Sequence, residues 1–146
     1  MAFDPKAILQ KAHSFLSASN RFPGGVTIGE PKAPPGDWAA AVILGPIQVT
    51  EVSLGTASGV ITIVVRTYQN ALVEPIGDRE WTLGRLIFEL LEDFCGDFDF
   101  GDTSVRNLVP LGVSATPGYQ EIGGILFRVS DIALPLMVND FATFTQ

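Results

Sequence analysis

Apolar residues recur at helical spacing in two stretches of this 146-residue chain and at strand-like spacing in several others. Ile8, Ala12, Phe15 and Leu16 trace one stripe, while Lys6, Gln10 and Ser14 lie away from it. Asp4 suits the N-cap and Pro5 the first helical position, so a helix is predicted from there to about Asn20, before Pro23-Gly24-Gly25. The second stripe is Leu83, Leu86, Ile87, Leu90, Leu91 and Phe94, with Arg85, Glu89, Glu92 and Asp93 opposite. It predicts a helix opening at Asp78 or Arg79, ending at Cys95-Gly96, with one side wet.

Between the helices the pattern turns to strands. Val26–Ile28 reads as a short one. Gly29–Asp37 holds Pro31, Pro34, Pro35 and Gly36 and is expected to be an extended, exposed loop. Trp38–Leu44 suits a buried strand stopped by Gly45-Pro46, and Ile47–Leu54 alternates only partly, as a strand with an irregularity would. A turn is expected across Gly55–Gly59. Val60–Tyr68 is almost wholly β-branched and predicts a strand buried on both faces. Val73–Gly77 reads as a loop. A further strand is expected near Thr103–Val109, after the loop Asp97–Asp102. Tyr119–Ile122 and Ile125–Val138 flank Gly123-Gly124, a pair that supplies the positive φ angles of a tight hairpin. Pro135 marks its end of that arm as an edge or a bulge. Strands grouped between two helices predict an α+β fold, a mostly antiparallel β-sheet packed by two main α-helices in a single domain, 1–146.

Composition narrows the function. Charged residues are only 17% of the chain, against about a quarter in typical domains, while hydrophobic residues reach 47% and mean hydropathy is +0.31. No apolar run approaches a membrane span, and no secretory signal is expected from a start carrying Asp4, Lys6 and Lys11. Apolar excess without membrane signals is what a subunit shows when neighbours bury part of its surface. The net charge of −7 disfavours a surface that grips nucleic acid, although it suits a lumen through which DNA passes without adsorbing. The single cysteine, Cys95, excludes an intrachain disulfide and reads as a small buried hydrophobe.

Candidate chemistry is sparse. His13 stands alone on the first helix, and no nucleophile elbow surrounds Cys95 or any serine. Asp97, Asp99 and Asp102 loosely resemble a calcium loop, but glycine falls one place early and Leu108 stands where a closing Glu belongs. Gly84, Gly112 and Gly118 lack phosphate-loop spacing. Arg66, Arg85, Arg106 and Arg128 are dispersed, an arrangement that favours pairing with carboxylates within the subunit or across an interface. No catalytic, cofactor-binding or metal residue is therefore assigned, and no enzyme activity is expected.

The last third of the chain carries a resemblance. Val105-Arg106-Asn107-Leu108, Leu111-Gly112, Gly118-Tyr119, Leu126-Phe127-Arg128-Val129 and Ile132–Asp140, which contains Leu134-Pro135-Leu136-Met137-Val138-Asn139-Asp140, follow one another in order. This run resembles the C-terminal part of tail terminator proteins of long-tailed bacteriophages, particularly those infecting actinobacteria. Upstream, Pro34-Pro35-Gly36 leading into Ala39–Val42, and Phe94-Cys95-Gly96-Asp97-Phe98 closing the second helix, keep the same order more loosely. The resemblance implies a virion protein, made in the host cytoplasm, that forms a ring, usually a hexamer, at the head-proximal end of the tail. Such a ring caps the tail tube, ends its polymerisation and joins it to head–tail connector proteins, without a cofactor. Other virion rings built from small α+β subunits are the alternatives: a head–tail connector, a head-completion protein or a tail tube subunit. An enzyme or ligand-binding domain with an ion held by Asp97–Asp102 is the competing class. Interface residues expected on the ring reading are Pro34, Pro35, Arg66, Arg106, Arg128, Phe141 and Phe144, and Gly59–Tyr68 or Ile125–Val138 are candidate strands for pairing across it.

Overall fold

The computed structural model describes residues 5–70, 76–95, 105–108 and 113–143, with 76–79, 95, 105–108, 140 and 143 described by backbone alone. Along the chain the elements are α1 (Pro5–Ala18), β1 (Val26–Ile28), β2 (Ala39–Ser53), β3 (Thr56–Asn70), α2 (Ile76–Cys95), β4 (Val105–Leu108), β5 (Ser114–Ile122) and β6 (Ile125–Thr143). The fold is α+β, as its alternating blocks of pattern predict. The sheet runs β1-β2-β3-β6-β4, with β5 also on β6. Among the described strands only the β1–β2 pair is parallel. β5 lies along the first half of β6, and β4 meets it at Leu136 and Val138.

Both helices cover one face of this sheet. Ile61, Ile63 and Val65 of β3 stand opposite Leu136, Leu134 and Ile132 of β6, and all six are buried. Ile8, Ala12 and Leu16 of α1, with Leu86, Leu90 and Phe94 of α2, complete the cluster. Burying six such branched side chains supplies roughly 10 kcal/mol or more of hydrophobic stabilisation before conformational entropy is set against it. His13, half-buried on α1, meets the Val26 carbonyl at 2.9 Å and ties the helix to β1.

The other face is covered at one end only. Ala39, Ala41, Tyr68, Phe127 and Val129 form a second buried cluster there, with Tyr68 and Phe127 edge to face. Gly29–Asp37 closes over it: Glu30 reaches Arg66, and a Cβ at Gly123 would strike the Pro34 ring. The loop is irregular, as its prolines dictate, but Pro34 and Pro35 are half-buried rather than fully exposed.

Four local expectations are corrected. β3 is buried on both faces only at Thr67–Gln69, beside the second cluster; from Thr56 to Arg66 its residues alternate between buried and half-buried, because the helices pack one side alone. Gly45-Pro46 does not end a strand. β1 reaches no further than Val42, so the outer edge of β2 beyond it has no ladder partner among the described residues and loses none to proline. The hairpin turn is the two residues Leu54-Gly55, with Gly55 at φ 76°, and Thr56–Ser58 already pair with Glu51–Ser53. Pro135 sits inside the central strand β6 opposite Thr62, where β5 has ended at Ala133 and β4 begins at Leu136. Its proline falls at the gap between two outer partners, which a strand pattern read alone places at an edge. The Gly123-Gly124 hairpin forms as expected, with φ of 57° and 82°. The loop at Val73–Gly77 and the loop Asp97–Asp102 fall wholly or mostly outside the described residues, although Ile76 and Gly77 open α2.

Candidate functional site

The helices do not reach the far end of the β2–β3 hairpin, and what is left bare there is apolar. Leu44, Ile47, Val49 and Val52 follow one another at steps of three, two and three, which no simple alternation places on one face. Two register shifts resolve this, one between Leu44 and Ile47 and one between Val49 and Glu51. Each inserts an extra residue and rephases the strand. In consequence Leu44 stands opposite Ile63, Ile47 opposite Ile61, Val49 opposite Gly59 and Val52 opposite Ala57. Cross-strand partners share a face, so the whole row lies on the side that the helices cover further back. There Ile61 and Ile63 are buried, while Leu44, Ile47, Val49 and Val52 are each roughly half exposed, and Leu54 at the tip is 87% exposed.

Gly59 makes this arm possible. A Cβ at that position would overlap the carbonyl of Gln48. Only glycine lets the two strands close at the bulge. The outer edge of the arm carries backbone groups with no strand beside them among the described residues, an invitation to pairing.

A second bare apolar surface lies on α2. Trp81 is 78% and Phe88 73% exposed, seven residues apart on the outer side of the helix, with exposed Arg85 between them. Beside the stripe runs a groove of about 270 Å³ lined by Arg21, Trp38, Thr82, Arg85, Leu86 and Glu89. Arg21 is already held there by Glu89 at 3.2 Å and Asp93 at 2.7 Å.

Two of the three arginines expected at an interface, Arg66 and Arg128, are paired with carboxylates inside the chain. Arg66 donates to both carboxylate oxygens of Asp131, at 2.6 and 3.0 Å, and to Glu30 and Gln120. That bidentate bond to Asp131 holds the Arg66 proton more firmly than an arginine in water, raising its pKa. Arg128 donates to both oxygens of Glu80, at 3.0 and 3.2 Å, and to the Gly118 carbonyl, with its guanidinium 4.6 Å over the Tyr119 ring. Tyr68 stands beside Arg66 with its hydroxyl buried and without a hydrogen-bond partner among the described residues, and burial raises its pKa.

The remaining expected interface residues do not converge. Pro34 and Pro35 belong to the loop over the second cluster, and Phe141 packs against the main core. Arg106 lies in β4 by its backbone alone, and Phe144 falls outside the described residues. Gly59–Tyr68 and Ile125–Val138 are the two central strands, flanked on both sides over most of their length; the far half of β2, like β4 and β5, has an edge with no strand beside it among the described residues. Sequence reasoning passed over Trp81 and Phe88, although their seven-residue spacing on the charged side of α2 was visible. Among the described residues no group of acidic, histidine and cysteine side chains is placed to hold a metal, and no helix is long and apolar enough to cross a membrane. No protein-family model matches the chain, and no curated protein is significantly similar to it in sequence.

Proposed function

We propose that this chain is a ring-forming assembly subunit of a phage tail, working as a terminator that caps the tail tube and presents a surface to the head connector. The observation that carries the reading is the bare arm: a nine-residue stretch of β2 edge, Gly45–Ser53, whose apolar row continues the core beyond the helices that cover it. A lone domain gains nothing from projecting Ile47, Val49, Val52 and Leu54 into water, whereas a subunit buries them against neighbours. The order of motifs in the last third of the chain supports a terminator over other ring subunits, and the acidic balance suits a passage for DNA.

Imaging particles assembled without the chain tests this. Tails of uncontrolled length, or heads and tails left unjoined, are expected. Normal particles would overturn it, as would a chain that neither self-associates nor binds the tail tube protein encoded with it.

A further inference from the structure

One row across the sheet, on the side of the helices, is polar where the row beside it is apolar. Ala40 of β2 stands opposite Thr67 of β3, Thr67 opposite Ser130 of β6, and Ser130 opposite Pro117 of β5. Cross-strand partners share a face, and Ala40 belongs to the main core, so the row looks toward the helices. To one side of it lie Val42, Val65 and Ile132, all fully buried. To the other lie Gln69 and Arg128, directly opposite each other.

Thr67 and Ser130 are 0% exposed and Gln69 7%. Neither hydroxyl, nor the side-chain carbonyl of Gln69, has a hydrogen-bond partner among the described residues. Each such atom carries a desolvation penalty when left unpaired. Three of them on neighbouring positions of two paired strands are within reach of one small molecule that would remove all three penalties. Space for it comes from the same row. Ala40 and Ser130 are shorter than Val42 and Ile132, and Ser130 is shorter than Arg128 on its other side. Serine in place of an isoleucine-sized side chain frees more than the roughly 30 Å³ that a water takes up. Both helices are anchored beside this row, α1 through His13 to Val26, the partner of Ala40, and α2 through Glu80 to Arg128. The occupant is neutral, because Arg128 already donates to both oxygens of Glu80 and the row carries no charge to balance an ion.

We propose that Thr67, Ser130 and Gln69 bind one buried water molecule that bridges β3 to β6. The two hydroxyls donate to its oxygen, and it donates in turn to Oε1 of Gln69. Three such bonds are the usual complement of a buried water. The bridge is independent of the ring reading. It ties the two central strands at the end of the sheet away from the bare arm, where α2 is held by an ion pair.

Oxygen-17 magnetic relaxation dispersion of water counts long-lived bound molecules and tests this directly. The unaltered chain would be compared with Thr67→Val, Ser130→Ala and the two combined, at a concentration where sedimentation gives every variant the same mass. The dispersion amplitude is expected to fall by the equivalent of one water molecule in the combined variant. A second readout is the unfolding equilibrium in denaturant. Each single variant removes one partner of the water, so its unfolding constant is expected to rise about fivefold. The combined variant should cost less than the two single effects multiplied together, because both hydroxyls serve the same molecule.

An unchanged amplitude in the combined variant would overturn the bound water, whatever happens to stability. It would mean that the hydroxyls use protein partners or none. A gain in stability from Thr67→Val or Ser130→Ala would overturn it too, since deleting an unpaired buried hydroxyl removes a penalty, whereas deleting a water ligand creates one.

Discussion

The β2–β3 ladder is covered at one end and bare at the other, although the same kinds of residue fill both. Around Ile61, Ile63 and Val65, two helices press on the sheet and exposure falls to 2% or less. Around Ile47, Val49 and Val52 the row continues on the same face, yet each side chain is at least half exposed. Composition does not separate the two ends; the reach of α1 and α2 does. Apolar patterning in a strand therefore reports a face to be covered, and whether the cover comes from the same chain is a separate matter.

The comparison is broken most severely in the covered half. Leu134→Ala should lose about 2–5 kcal/mol of unfolding free energy by denaturant titration, whereas Val52→Ala in the unassembled chain should stay within about 0.5 kcal/mol. Equal losses at the two sites would show that the arm is buried within its own chain. Gly59→Ala acts at the join between the halves, where the new methyl group must displace the Gln48 backbone. A loss of about 1–3 kcal/mol is expected, with amide exchange accelerating first in the arm rather than beneath the helices.

Smaller effects sharpen the contrast between the two faces. Asp131→Ala leaves the Arg66 guanidinium with only Glu30 and Gln120, in a partly wet site, and about 1–2 kcal/mol should be lost in thermal or denaturant melts. Tyr68→Phe removes a buried hydroxyl that has no hydrogen-bond partner among the described residues, so stability at neutral pH should be unchanged or slightly higher. The folded state raises the Tyr68 pKa above the ordinary 10.0, so this contribution is complete below that pH and is lost as pH rises past it toward the folded value. The Tyr68→Phe variant should accordingly lose less stability than the original between neutral pH and pH values above 10, followed by melts across that range.

Legibility followed the range of the interactions involved. Both helical stripes were plain, because their period is local and α2 buries Leu83, Leu86, Leu90 and Phe94 as spaced. The Gly123-Gly124 turn was equally plain, since it needs positive φ at consecutive residues. Pro46 and Pro135 misled in opposite ways, because what proline costs a strand depends on which partners flank it. The candidate site was the least legible part. Pairing of Arg66 and Arg128 with carboxylates was expected, within the subunit or across an interface, but the sequence could not choose between the two; Asp131 of β6 and Glu80 of α2 place both pairs within the chain.

The amino-acid order by itself determined both helices and the core of most strands, where the Gly123-Gly124 turn lies, and that apolar residues exceed what a small polar surface requires. Those properties depend on neighbours a few positions apart. The tertiary structure alone decided that two bulges align Leu44, Ile47, Val49 and Val52 on one face, and that the helices stop short of them. Register and coverage are set by pairing between distant segments, and no local spacing encodes where a neighbouring layer ends.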